Sequence, residues 1–209
     1  MKRTLAFAAS LLLLGACSSD GYTIRGKIAG LDNPYVYLLR YTGEVEVIDS
    51  AKVTKGDFVF KGKAEQPEVV YLSTDKQQPF VHFFLENGRI SVDGALSAPA
   101  DIAVLGTPSN DIQRAFDEKI AALEEEFAKA GNDVQRDSLR KEYSKLMSDA
   151  VEMNRDNIYG VTTFLNNAYA FLSPEEVMEQ IALFPAEWQQ RRELTELREA
   201  TERKLRVSA

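Results

Sequence analysis

The sequence predicts an α+β protein, in which an antiparallel β-sandwich or partly open barrel of about eight strands precedes a C-terminal helical region. Up to residue 107, β-branched and aromatic residues alternate with polar ones, and Gly, Asn, Asp and Pro separate the runs. From Pro108 onward, apolar residues recur every three or four positions, which is the period of an amphipathic helix. The change of period therefore divides the chain into two halves.

The first half contains short segments with the composition of strands. Lys55-Gly56 is typical of a tight hairpin turn. Asn87-Gly88 is the strongest turn signal, because a type I′ turn needs a positive φ at both central residues and this pair tolerates it best. The predicted strands cover residues 22–28, 34–41, 44–54, 58–60, 68–74, 80–85, 89–93 and 102–105.

The second half predicts four or five helices, which begin near residues 109, 133, 161, 173 and 187. Ser109 is predicted to cap the first helix, and Gly131-Asn132 is predicted to end it. Ser173-Pro174-Glu175-Glu176 has the sequence of a capping box with Pro at the first helical position. Pro185 is predicted to end the helix that begins at this capping box.

The N-terminus has the layout of a bacterial lipoprotein signal. Two basic residues precede an apolar stretch over residues 5–14, and small residues then precede the only cysteine of the chain. We therefore expect a signal peptidase to remove residues 1–16 and the new N-terminal cysteine to be lipidated. The residues that carry this pattern are Leu14, Gly15, Ala16 and Cys17.

Lipidation predicts a protein anchored in the cell envelope. The apolar stretch is shorter than the ~20 residues that a transmembrane helix needs, and an ordinary cleaved secretory signal is the main alternative. We expect an outer-membrane protein on the periplasmic side, with exposure at the cell surface as the other orientation. The expected organisation is a signal peptide over 1–16, a tether over 17–21, a β domain over 22–107 and a helical region over 108–209.

Composition excludes several classes of partner. The formal charge of −7 argues against nucleic acid, because phosphate binding needs a basic face, and against electrostatic docking on anionic lipid. The single cysteine leaves no disulfide within the chain. The spacing of His and acidic residues suggests no metal site, and no Gly-rich phosphate loop or Gly-x-Ser-x-Gly motif occurs. We therefore expect no cofactor, no metal and no catalytic residue.

The order of motifs in the β half resembles the family called domain of unknown function 4369 (DUF4369). This domain precedes the thioredoxin-like domain in many envelope-anchored thiol–disulfide oxidoreductases, and the resemblance covers about residues 22–116. It implies a β-rich fold and an envelope location. The segments that carry it are IDSAKV (48–53), KGDF (55–58), FKG (60–62), FLENG (84–88) and VLGTPSN (104–110).

The chain departs from those oxidoreductases in its second half. It ends at Ala209, where their thioredoxin-like domain with its Cys-x-x-Cys motif would begin. We expect no thiol–disulfide chemistry, because no second cysteine is present to resolve a mixed disulfide. No catalytic residue of the oxidoreductases can be transferred to this sequence.

Aromatic residues of the β half form the best candidate binding face. Alternation sends some of them away from the core, where they could line a groove, and we select Tyr37, Tyr71 and His82. His82 is the sole histidine, and a structural hydrogen bond within its strand is the expected role. Arg191 and Arg192 are expected to be surface charges paired with glutamates of the last helix.

The sequence predicts a non-catalytic, lipid-anchored binding or assembly module of the bacterial envelope. One hypothesis is that it acts beside a separate thioredoxin-like partner, and the ligand is unknown. The alternative is a hydrolase or ligand-processing enzyme with a site of scattered carboxylates and tyrosines. A third hypothesis is a diverged remnant of an oxidoreductase.

Overall fold

The computed structural model describes residues 20–168 and 172–208. The predicted lipidation signal, Leu14 to Cys17, lies outside the described residues. Within them, eight strands form two four-stranded sheets that pack face to face and do not close into a barrel. The strands are β1 (Tyr22–Ala29), β2 (Tyr35–Tyr41), β3 (Val45–Lys52), β4 (Asp57–Gly62), β5 (Glu68–Ser73), β6 (Pro79–Leu85), β7 (Gly88–Ala95) and β8 (Ala103–Leu105). The predicted sandwich is confirmed.

The first sheet has the order β4-β1-β7-β8 and the second the order β3-β2-β5-β6. Their facing sides enclose one core, in which alternate residues of both sheets are buried. Each large side chain buried there contributes about 1.5–3 kcal/mol. The largest buried members are Ile24, Ile28, Leu31, Leu38, Phe60, Leu72, Phe83, Leu85 and Ile90.

One strand pair departs from the predicted antiparallel arrangement. β1 and β7 are parallel and in register from Tyr22 opposite Gly88 to Ala29 opposite Ala95. Since β6 belongs to the second sheet and β7 to the first, the segment Asn87-Gly88 crosses between sheets. The predicted type I′ hairpin at Asn87-Gly88 is therefore wrong, and only Gly88 has a positive φ, of 153°.

The other predicted tight turn, at Lys55-Gly56, is present, but it does not join two paired strands, because β3 and β4 lie in different sheets. Lys55 and Gly56 have φ angles of 55° and 83°, as a type I′ turn requires. Thr54 and Asp57 exchange both backbone hydrogen bonds across the turn, at 2.9 and 3.0 Å. The turn carries the chain from β3 in the second sheet to β4 in the first.

Six α-helices and one π-helical turn follow the strands within the described residues, and none of these helices is long and apolar enough to span a membrane. Short 3-10 and π-helical segments span Pro99–Asp101 and Phe164–Ala168. The helices are α1 (Pro108–Lys129), α2 (Asp133–Glu152), α3 (Ile158–Thr163), α4 (Pro174–Ala182), α5 (Ala186–Gln189) and α6 (Arg192–Ser208).

The helix termini confirm one prediction and correct two. Ser173 and Glu176 form the predicted capping box at the start of α4. Ser109 does not cap α1, because the N-cap is Thr107 and Pro108 takes the first helical position. Asn132 begins α2 rather than ending α1, since its side chain accepts a hydrogen bond from the Gln135 amide at 2.9 Å.

Asn110, near the start of α1, joins the helical region to the edge strand β6. Its Oδ1 accepts a hydrogen bond from the Phe84 amide at 2.9 Å, and its Nδ2 donates to the Phe84 carbonyl at 2.8 Å. Nδ2 also donates to Thr107 Oγ1 at 2.7 Å, and Asn110 is 2% exposed. β6 pairs only with β5, so the Asn110 amide takes the place of a neighbouring strand at this point.

The residues next to Phe84 and Asn110 extend this contact. Glu86 accepts hydrogen bonds from both the backbone amide and the hydroxyl of Ser109, at 3.1 and 2.7 Å. An anion at the second position of a helix also interacts favourably with the helix dipole. The Glu86 side chain therefore accepts the hydrogen bonds of Ser109 at the start of α1, where Ser109 itself was predicted to act as the N-cap.

Apolar contacts continue from this junction into the helices. Phe84 packs with Phe116 of α1, Ala150 of α2 and Ile158 and Tyr159 of α3. The Tyr159 ring stacks on Phe116 at a centroid distance of 5.5 Å, and burial raises the pKa of Tyr159 to about 12. A second helical core contains Val151, Val161, Phe164, Val177, Ile181, Phe184 and Leu194.

Replacing Asn110 tests the junction. We expect Asn110→Ala to lower the free energy of unfolding by about 3 kcal/mol, because it leaves a buried N–H and a buried carbonyl of Phe84 without partners. Urea denaturation followed by circular dichroism measures the change. Asn33→Ala is the control, since Asn33 is exposed, and a loss equal to that control would contradict the role given to Asn110.

Alkaline denaturation tests the buried Tyr159 hydroxyl. A pKa raised from 10.0 to about 12 means that the native state retains the proton, so stability falls as the pH rises through this window. By pH 12 this group alone removes about 2 kcal/mol, and Tyr159→Phe should abolish that part of the loss. Tyr35→Phe, at an exposed position of β2, is the control. Equal pH profiles for both variants would contradict the assignment.

Candidate functional site

An open groove of about 770 Å³ lies between one end of the second sheet and the helices α3 and α6. The strands supply its aromatic wall, and both the β half and the helical half supply apolar and charged side chains. The residues that form it include Arg40, Tyr41, Lys63, Glu65, Glu68, Val69, Tyr71, His82, Ile158, Val161, Leu165, Arg191, Arg192 and Glu193.

Tyr41, Tyr71 and His82 form the aromatic wall of the groove. The Tyr41 and Tyr71 rings meet edge to face at a centroid distance of 4.7 Å. Tyr71 of β5 lies opposite His82 of β6, and their ring centroids are 6.1 Å apart. Burial raises the pKa of the Tyr71 hydroxyl, and the nearby Tyr41 adds to the shift. The wall thus presents aromatic surface with polar edges.

The structure separates Tyr37 from the other two residues of the predicted binding face. Tyr37 lies opposite Ser73, which is two residues along β5 from Tyr71, so Tyr37 and Tyr71 share one face of the sheet. The Lys76 ammonium lies over the Tyr37 ring at 4.7 Å, and Tyr37 is not among the residues that form the groove. The three residues share one face of the sheet, and the helices determine which part of that face lines the groove.

His82 also borders a smaller recess of about 440 Å³, which Arg114 and Asp117 of α1 help to form. Partial burial raises the pKa of the Asp117 carboxyl, and the charges of His82 and Arg114 oppose this rise. His82 is exposed and makes no hydrogen bond to the part of the chain that the structure describes. The expected structural hydrogen bond of the His82 imidazole is not found among residues 20–168 and 172–208.

Arg40 and Glu68 form the strongest ion pair of the groove. Arg40 Nε and Nη2 donate to the two oxygens of Glu68 at 2.5 and 2.7 Å. Arg40 Nη1 also contacts the more exposed Glu46 at 3.3 Å. Both contacts raise the pKa of Arg40, and the hydrogen bonds to Glu68 make the largest contribution. Within residues 20–168 and 172–208, no three His, Cys, Asp or Glu side chains cluster as a metal site.

Comparison with protein families identifies the β half. Residues 22–113 match the family model described as Domain of unknown function (DUF4369). This segment is a DUF4369 domain. The matched segment extends past the eighth strand into α1 and includes Asn110, so the junction with β6 belongs to the domain. A search of curated proteins finds none that matches the chain.

Arg191, which lies beyond the DUF4369 domain, is the groove residue that sequence reasoning placed wrongly. Its side chain is 7% exposed, whereas that of its neighbour Arg192 is 55% exposed. The guanidinium carbon lies 5.3 Å from the centroid of the Trp188 ring, which covers it. The break between α5 and α6 turns the side chain inward, and no periodicity within one continuous helix could have indicated that.

Glu68 and Glu46, the two carboxylates that contact Arg40, allow a matched test of how much each ion pair stabilises the DUF4369 domain. Glu68→Gln should lower the free energy of unfolding by about 1–2 kcal/mol, because it weakens a two-fold, charge-assisted contact that is mostly shielded from water. Glu46→Gln should cost about 0.5 kcal/mol or less, since Glu46 is 54% exposed. Urea denaturation of both variants gives the difference, and equal losses would contradict this ranking.

Proposed function

We propose that this protein is a lipid-anchored lipoprotein of the bacterial envelope, in which the DUF4369 domain and the helical region together form a non-catalytic binding module. The observation that carries the binding role is the open groove between the second sheet and α3 and α6. The observation that carries the anchor is Leu14-Gly15-Ala16-Cys17 after a short apolar run.

The groove favours binding over chemistry. Its aromatic wall offers surface for an apolar or aromatic group, as small-molecule sites commonly do. The Glu68 carboxylate already accepts two hydrogen bonds from Arg40, so it is held as a structural acceptor. The 209 residues contain one cysteine, which leaves no thiol pair for disulfide exchange within them.

The proposed anchor places the module close to the membrane. Each CH₂ of an acyl chain that is buried in the membrane contributes about 0.8 kcal/mol to membrane binding, so a multiply acylated cysteine anchors a protein stably in the membrane. Gly21, the last residue of the proposed tether, accepts a hydrogen bond from the Gly88 amide at 3.1 Å. The folded domain therefore begins within four residues of Cys17, and the groove would work near the membrane surface, with a separate thioredoxin-like protein as one proposed partner.

Metabolic labelling with an alkyne analogue of palmitate tests the anchor. The wild-type chain should incorporate the label and fractionate with membranes, whereas Cys17→Ser should incorporate none, because the acceptor thiol is lost. Ser18→Ala, at the next position, should be labelled like the wild type and is the matched control. A wild-type chain that is cleaved after Ala16 and carries no label would contradict the proposal.

A further inference from the structure

Arg191 is a buried guanidinium with too few partners. Its side chain is 7% exposed, and its Nε is buried without a hydrogen-bond partner. Its Nη2 lies 3.6 Å from Glu193 Oε1, beyond hydrogen-bond length. A guanidinium carries five N–H donors, and burying such a cation is unfavourable unless hydrogen-bonded anions compensate it. Within the described residues, the protein does not supply that compensation.

The position of Arg191 adds a second source of positive potential. The Thr195 amide donates to the Arg191 carbonyl at 2.9 Å, so Arg191 stands directly before the first turn of the 17-residue helix α6. The first N–H groups of a helix lack partners within it, and the helix dipole favours an anion beside them. Arg191, Arg192 and Glu193 all line the groove, so the start of α6 faces this space.

Arg155 shows that burial alone does not create such a site. Its Nε is also buried without a partner. However, Arg155 Nη2 donates to Gln180 Oε1 at 3.0 Å, and Arg155 does not line the groove. Of the two arginines with an unpartnered Nε in the described part of the chain, Arg191 is therefore the one that a ligand in the groove can reach.

The net charge of the side chains that line the groove is opposite in sign to the net charge of the whole chain. The chain has a formal charge of −7, whereas four basic side chains and three carboxylates line the groove. Arg40 and Glu68 neutralise each other, and Arg192 lies 3.7 Å from Glu196, which does not line the groove. The charged lining residues are Arg40, Lys63, Arg191 and Arg192 against Glu65, Glu68 and Glu193.

We propose that the groove binds a small organic anion through Arg191. A carboxylate or phosphate group would accept hydrogen bonds from the Arg191 guanidinium and displace the weak contact with Glu193. The apolar body of the ligand lies against Val69 and Ile158, beside the aromatic wall of Tyr41 and Tyr71. This inference rests on the binding role proposed above and gives that role a ligand class.

Trp188 supplies a direct readout, because it is the only tryptophan of the chain and its ring covers the guanidinium. The full chain in detergent is titrated with acetate, phenylacetate and inorganic phosphate at constant ionic strength. We expect a saturable change of Trp188 fluorescence, with phenylacetate binding more tightly than acetate because of the apolar wall. The relative affinities of phenylacetate and phosphate distinguish a carboxylate from a phosphate ligand.

Substitutions of Arg191 and of its neighbour Glu193, with Arg203 as the control, define the site. Arg191→Gln should weaken the anion affinity about tenfold or more, because a charge-assisted contact is lost. Arg203→Gln, at a position of α6 that is 62% exposed, should leave the affinity unchanged. Glu193→Gln should tighten binding, because it removes the carboxylate that competes for Arg191. A purely structural Arg191 would give no gain of affinity in Glu193→Gln.

The outcomes separate this inference from the anchoring proposal. Absence of a saturable change with all three anions in the wild type, or equal affinities in the wild type and Arg191→Gln, would overturn the inference. If circular dichroism shows that Arg191→Gln does not fold, the inference is tested by the wild-type titration and by the predicted gain of anion affinity in Glu193→Gln. A palmitate-labelled chain that binds none of the anions leaves the anchor standing, and an unlabelled chain that binds them overturns only the anchor.

Discussion

The hydrogen bonds between Asn110 and the backbone of Phe84 determine how the two halves of the molecule fit together. Phe84 lies on an edge strand, and its N–H and carbonyl point away from β5 into a region that the helices bury. Buried backbone groups need partners, and an asparagine side chain is the smallest group that offers a donor and an acceptor in a plane. Because Asn110 is fixed on α1, its bonds set the position of that helix on the sheet. The apolar contacts of Phe116 and Tyr159 with Phe84 then follow.

The need of backbone groups for hydrogen-bond partners also explains the positions of two motifs of the DUF4369 domain. Glu86 and Asn87 follow β6, and both side chains bind backbone elsewhere: Glu86 accepts from the amide of Ser109, and Asn87 pairs with the amide and carbonyl of Ala64 at 2.9 Å each. Two of the segments that resemble the family, FLENG (84–88) and VLGTPSN (104–110), thus hold α1 and the β4–β5 connection against the sheet. The groove depends on this arrangement, since α3 reaches the sheet through Phe84 and its neighbours.

Local patterns predicted the strands, the Lys55-Gly56 turn and the capping box of α4, because each depends on residues close in sequence. The parallel pairing of β1 with β7 could not be predicted, because alternation does not specify which strand becomes a neighbour. For the groove, alternation placed Tyr71 and His82 on one face, but the burial of Arg191 depends on the break before α6 and on Trp188. An arginine beside glutamates has the same local pattern whether it is exposed or buried.

Amide hydrogen exchange at Phe84 tests the central role of Asn110 most directly. We expect the Phe84 amide of the wild type to exchange as slowly as amides of the central strand β5, because Asn110 Oδ1 accepts its proton. In Asn110→Asp, which keeps the shape but loses both donated bonds of Nδ2, we expect amides of α1 and α3 to exchange faster while β1 and β7 stay protected. Fast exchange of the Phe84 amide in the wild type, or unchanged exchange of α1 and α3 in Asn110→Asp, would contradict this account.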